Sequence, residues 1–86
     1  MKNTMYSIEI TQFAEVDIRE SIEWYNKAKH GLGNRFYNNV KSTLFRIQEN
    51  PKHFPIRYKS VHTASVIKFP FLIHFILNES EKSIVV

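Results

Sequence analysis

Apolar and polar residues alternate along Tyr6-Ser7-Ile8-Glu9-Ile10, which predicts an opening strand. The period then changes. Ala14, Ile18, Ile22, Tyr25 and Ala28 fall on one helical stripe, with Thr11 placed to cap it and Glu15 and Asp17 in its early turns. Gly31 and Gly33 interrupt the pattern and supply a turn. Phe36, Val40, Leu44 and Ile47 form a second helical stripe that ends near Asn50-Pro51, because the residue before proline disfavours helix. From there the pattern is that of strands: 54–58, 64–69, 71–77 and 83–86. Phe69-Pro70-Phe71 marks a turn and 78–82 a polar hairpin loop. Consecutive late strands with short turns are expected to be antiparallel. The chain is therefore read as one α+β domain, residues 1–86: an N-terminal strand, a helical hairpin, then an antiparallel sheet of three to four strands that the hairpin covers on one face. Ile18, Ile22, Phe36, Val40, Leu44 and Ile73 are the expected core.

The 86 residues are enough for one small core, and the aromatic content of 14% helps to fill it. With no cysteine there is no disulfide and no thiolate zinc site. The four histidines, His30, His53, His62 and His74, lack any usual metal spacing, so no metal and no cofactor is expected. No apolar run approaches a bilayer span and no signal-peptide block opens the chain, which points to a cytoplasmic protein without a membrane partner.

Charge changes the picture more. The formal total is +4, but the segment from Lys27 to Lys68 holds nine Lys or Arg against one acid, Glu49. That polarity suits an acidic partner: nucleic acid, the ribosome or an acidic protein segment. Against it, the acids of the first helix (Glu15, Asp17, Glu20, Glu23) read as a solvated face, some of them lying opposite Lys41 or Arg46.

Several chemistries are excluded. There is no Cys nucleophile, G-x-S-x-G, HExxH or phosphate-binding glycine loop, and Gly31-Leu32-Gly33 reads as a turn. What remains is basic: Arg57, Lys59, His62, Lys68 and His74. Metal-free RNA cleavage needs a base, cations for the developing charge and an acid, so Arg57, Lys59 and His74 are the catalytic candidates. Alternation puts Arg57 and Lys59 on one strand face and Tyr58 on the other. His74, between Ile73 and Phe75, is expected to be partly buried and satisfied by a neighbour. Arg57, Lys59 and Lys68 are expected to form one connected basic surface. Trp24, Tyr37 and Phe45, off the main stripes, are available to face a partner.

The chain resembles the RelE/ParE toxin superfamily, the toxin halves of type II toxin–antitoxin modules. The likeness rests on the opening strand and Trp24-Tyr25, on Gly31-Leu32-Gly33-Asn34-Arg35-Phe36, on Leu44, Ile47, Asn50-Pro51 and Phe54-Pro55, and on Lys68-Phe69-Pro70-Phe71. It lies closer to the ParE-like, plasmid-stabilisation branch. The resemblance implies the same fold and a growth-inhibiting toxin neutralised by a cognate antitoxin, as a heterotetramer with it or a homodimer. It implies DNA gyrase as target, or alternatively the ribosome and its mRNA; a non-toxic antitoxin-binding module is the third reading. The expected contact residues are Arg57, Lys59, Lys68, Trp24 and Tyr37. RelE-type nucleases carry an arginine where this chain has Leu72, and basic and aromatic residues on or after the final strand, where this chain reaches Val86. Inefficient mRNA cleavage is therefore expected.

Overall fold

A computed structural model describes residues 5–86. The strand β1 (Ser7–Glu9) leads into helix α1 (Gln12–Ala28) and, after a short turn, α2 (Leu32–Glu49). A single 3-10 turn at Pro51–His53 precedes β2 (Ile56–Tyr58), β3 (Val61–Ser65), β4 (Leu72–Asn78) and β5 (Ser83–Val85). The fold is α+β. The late strands form an antiparallel meander, and β1 joins it parallel to β5, giving a five-stranded mixed sheet of order β1-β5-β4-β3-β2.

Thr11 caps α1, as its residue type and place predict. Its hydroxyl oxygen accepts from the Ala14 N–H at 3.2 Å and its O–H donates to the Val86 carbonyl at 3.0 Å. One side chain thus starts the helix and ties it to the end of β5. Across the sheet, the Gln48 side chain donates to the Tyr6 carbonyl at 3.0 Å, fastening the entry of β1 to the end of α2.

The core lies between α2 and the inner face of the sheet. Phe36 has no exposed surface and meets the rings of Tyr25, Phe69 and Phe71 at 5.0–5.2 Å between centroids. Val40, Thr43 and Ile47 continue that face onto Ile73, Phe75 and Ile84. Phe36, Val40 and Ile73 are core as expected, but Ile18, Ile22 and Leu44 are only half-buried, and α1 contributes no fully buried residue. The reason is geometric. α1 lies chiefly on α2, and it is α2 that covers the sheet, so one side of the α1 stripe stays open.

The helices approach most closely at Gly33. Its N–H donates to the Asn26 side-chain carbonyl at 2.7 Å, and a Cβ placed there would collide with the Ile22 carbonyl and the Asn26 side chain. Gly31 serves differently, adopting φ 85° in open space to turn the chain between the helices.

The strand limits differ from the sequence pattern at β3, which begins at Val61 and ends at Ser65 rather than running over 64–69. A two-residue turn at Lys59-Ser60 starts it early, with lysine at positive φ where glycine or asparagine is usual. The chain turns again at Ile67-Lys68.

Urea unfolding is expected to rank three substitutions. Phe36→Ala should cost about 3–5 kcal/mol, and Leu44→Ala, half-buried, less than about 2 kcal/mol. Gly33→Ala should cost about 1–3 kcal/mol through overpacking. Equal losses at Phe36 and Leu44 would show that α1 covers the core more fully than described.

Candidate functional site

The sheet has helices on one face only. On β4 the inner residues Ile73 and Phe75 are buried, and the outer residues Leu72, His74 and Ile76 are exposed. His74 is therefore a surface residue, which corrects its expected burial. The buried, satisfied histidine is His62. It stacks on Phe75 with ring centroids 5.0 Å apart and its Nδ1 lies 2.8 Å from the Phe54 carbonyl. A carbonyl only accepts, so this Nδ1 carries the hydrogen.

On the open face the Tyr58 hydroxyl lies 3.3 Å from His74 Nδ1. Thr63, the β3 partner of His74, sits beneath this pair and is buried despite facing outward. Tyr58 reaches His74 because of an irregularity in the β2–β3 ladder. Ile56 opposes His62 and Tyr58 opposes Val61, so Arg57 is the extra residue of a β-bulge. No glycine or proline in the sequence signals it. Lys59 has left β2 for the turn, at φ 49°, so Arg57 and Lys59 do not share a strand face.

The basic residues separate further. Lys68 lies in the β3–β4 connection, at the other end of β3 from Lys59, and five strand residues at ~3.3 Å each put ~16 Å between the two ends. Lys68 instead lines a cleft with Arg35 of α2. The structure thus brings Arg57, Tyr58, Lys59 and His74 to one corner of the sheet and places Lys68 elsewhere.

The helix layer holds a second feature. Ile10, Ile18, Ile22, Val40 and Leu44 floor an open groove of ≈ 380 Å³ between α1 and α2, with Tyr37, Lys41, Glu15 and Arg19 around it. This is where the half-buried apolar residues face. Lys41 lies over the Tyr37 ring at 4.7 Å. Trp24 is 66% exposed, packs edge-on against Tyr25 and does not line the groove. Phe45 is exposed as well, and Phe13 in the first turn of α1, absent from the candidates drawn from the sequence, is the most exposed aromatic at 85%.

The acids of α1 do not neutralise α2. Among the described residues there are two ion pairs, Arg19–Glu15 within α1 at 2.6 Å and Lys52–Glu79 at 3.4 Å. Glu15 lies across the groove from Lys41, as expected of the helix 1 acids, but its ion pair is with Arg19, and Lys41 and Arg46 belong to no ion pair among the described residues. Among the described residues no group of three His, Cys, Asp or Glu converges to hold a metal ion, and no helix is long and apolar enough to cross a membrane. No protein-family model matches the chain, and no curated protein matches it in sequence.

Lys59, Lys68 and Lys82 all adopt positive φ, a conformation that costs a side-chain-bearing residue about 1–2 kcal/mol and glycine almost nothing. Lys59→Gly is expected to leave thermal stability unchanged or raise it by up to about 1 kcal/mol, after glycine's greater entropy loss. A clear loss would mean that the Lys59 side chain makes a stabilising contact of its own.

Proposed function

We propose that this chain is the toxin of a type II toxin–antitoxin pair of the RelE/ParE kind, held inactive in the cytoplasm by an antitoxin segment that folds onto it. The observation that carries the reading is the groove between α1 and α2. It is apolar along its floor and open, and on its rim, beside the Glu15–Arg19 pair, Lys41 belongs to no ion pair among the described residues. An amphipathic acidic helix would bury Ile18, Ile22 and Leu44 and set a carboxylate against Lys41. A disordered segment that orders on binding covers such a surface with few residues. The motif order from Trp24-Tyr25 to Lys68-Phe69-Pro70-Phe71 supports the same family reading.

The preferred target is a protein, in the manner of DNA gyrase poisoning. The outer sheet face supports this choice by what it carries. Leu72 stands beside His74 on that face and donates no hydrogen bond to a developing phosphorane. Loss of one charge-stabilising donor typically costs on the order of 10²–10³ in rate. The Tyr58–His74 pair supports the second reading, ribosome-dependent mRNA cleavage, because it joins two proton-transfer groups on the open sheet face, with Arg57 and Lys59 flanking Tyr58 in sequence.

Two measurements separate these readings. Expression of the chain should arrest growth, and co-expression of the neighbouring reading frame should relieve it. Ile18→Asp should leave the arrest intact and abolish the relief. Arrest-free expression would leave only the non-toxic binding module. Primer-extension mapping of mRNA during the arrest should find no new cuts, and a DNA-damage response should accompany it. Sharp cuts that vanish in His74→Ala would establish the nuclease instead.

A further inference from the structure

The outward face of α2 carries a second constellation, separate from both the groove and the Tyr58–His74 corner. Arg35 and Lys68, far apart in sequence, line one open cleft of ≈ 360 Å³ together with Asn38 and Asn39. The Asn39 side chain donates to the Ile67 carbonyl at 3.0 Å, which pins the β3–β4 connection to α2 and so fixes Lys68 near Arg35. Neither cation belongs to an ion pair among the described residues. Lys68 is moreover held at φ 71°, where glycine would be cheaper. The fold therefore places two like charges at one cleft, one of them strained, with no Asp or Glu among the described residues that line it.

The same face continues past Asn38 to Lys41, Phe45 and Arg46, which line the next depression along the helix. From Arg35 to Arg46 the track runs ~16 Å at 1.5 Å per residue. No acid precedes Glu49 on α2. The cations alternate with neutral donors, and the Phe45 ring is 51% exposed among them.

We propose that this track binds a single-stranded nucleic acid. Cations and amide donors match the phosphodiester oxygens, and an exposed ring matches an unstacked base. A peptide of Asp and Glu would satisfy the cations and the amides but offer the Phe45 ring no planar or apolar partner. A duplex would satisfy the charges but keep its bases stacked and out of reach of Phe45. Of the track, Lys41 also rims the groove assigned to the antitoxin; Arg35, Asn38, Asn39, Phe45, Arg46 and Lys68 line neither the groove nor the sheet corner, and the inference stands or falls independently of the toxin reading.

Fluorescence anisotropy with a short labelled RNA of mixed sequence, titrated with the full chain over a salt series, tests it. Four cations on phosphates give a log–log salt slope of about −3, at about −0.7 per contact on a single strand. The double variant Arg35→Gln/Lys68→Gly should bind at least about tenfold more weakly with a slope shallower by about 1.4. Its melting temperature should not fall, since glycine suits the Lys68 conformation. Phe45→Ala should weaken binding about tenfold with the slope unchanged, the mark of a stacking contact. Lys27→Gln/Lys82→Gln, which removes two charges from the last turn of α1 and from the β4–β5 turn, should bind as the unchanged chain does. The proposal is overturned if the chain does not bind the RNA, or if the Arg35/Lys68 variant binds as well as the unchanged chain. It is equally overturned if the Lys27/Lys82 variant loses as much affinity, or if polyglutamate of matched charge or the duplex form of the same sequence competes as well as the single strand.

Discussion

Two helices meet in this protein through a residue without a side chain, and the arrangement of its surfaces follows from that contact. Gly33 lets the start of α2 come against the Ile22 carbonyl and take the Asn26 side chain as a hydrogen-bond partner. The helices are thus drawn together near the end of α1 and the beginning of α2. α1 rides on α2 instead of lying flat on the sheet, and α2 alone supplies the fully buried helical face. A cost in burial results. The apolar stripe of α1 meets one neighbour, and Ile18, Ile22 and Leu44 remain half-buried along a groove. In a small domain with a limited core, that uncovered area weakens the isolated chain and favours a partner that covers it.

Electrostatics follows the same division. Half of the eight acids sit on α1 and its own arginine takes one of them, so Lys41 and Arg46 of α2 and Lys82 of the β4–β5 turn lie over aromatic rings without an ion pair among the described residues. Burial of aromatics against α2 consumes Phe36, Phe69 and Phe71, and the rings left outside lie beside charge: Tyr37 beneath Lys41, and Phe45 next to Arg46. The sheet adds a third surface. Its outer face carries Leu72 and Ile76 around His74, with cations only at the Arg57–Lys59 corner. Three surfaces of different chemistry therefore lie on one small chain, the groove and the α2 track adjoining at Lys41.

The helices were legible from sequence because their signals are local. Thr11 caps where an N-cap residue should, Asn50-Pro51 stops α2, and the stripe from Phe36 to Ile47 has the helical period. The sheet was legible only in outline. Its errors trace to turns built from lysine and serine in place of glycine or asparagine, which shifted β3 and moved Lys59 off the strand. The bulge at Arg57 then brought Tyr58 to His74, a pairing that simple alternation does not reveal. The exposure of His74 has another cause: alternation already set it opposite Ile73 with Leu72 and Ile76, but only the fold shows that no helix covers that face. Lys68 could not be assigned to Arg35 from spacing, because a long-range contact, Asn39 to Ile67, sets that position.

The central claim is that the open side of the helical hairpin is a surface made to be covered. Hydrogen–deuterium exchange of the chain alone, and in complex with the product of its neighbouring reading frame, tests it most directly. The account predicts that binding slows exchange in α1 from Ala14 to Ile22 and in α2 from Tyr37 to Leu44, with the β2–β3 hairpin and β4 changing little. Protection confined to β2, β3 and β4, with α1 exchanging as fast in the complex as in the free chain, would contradict it.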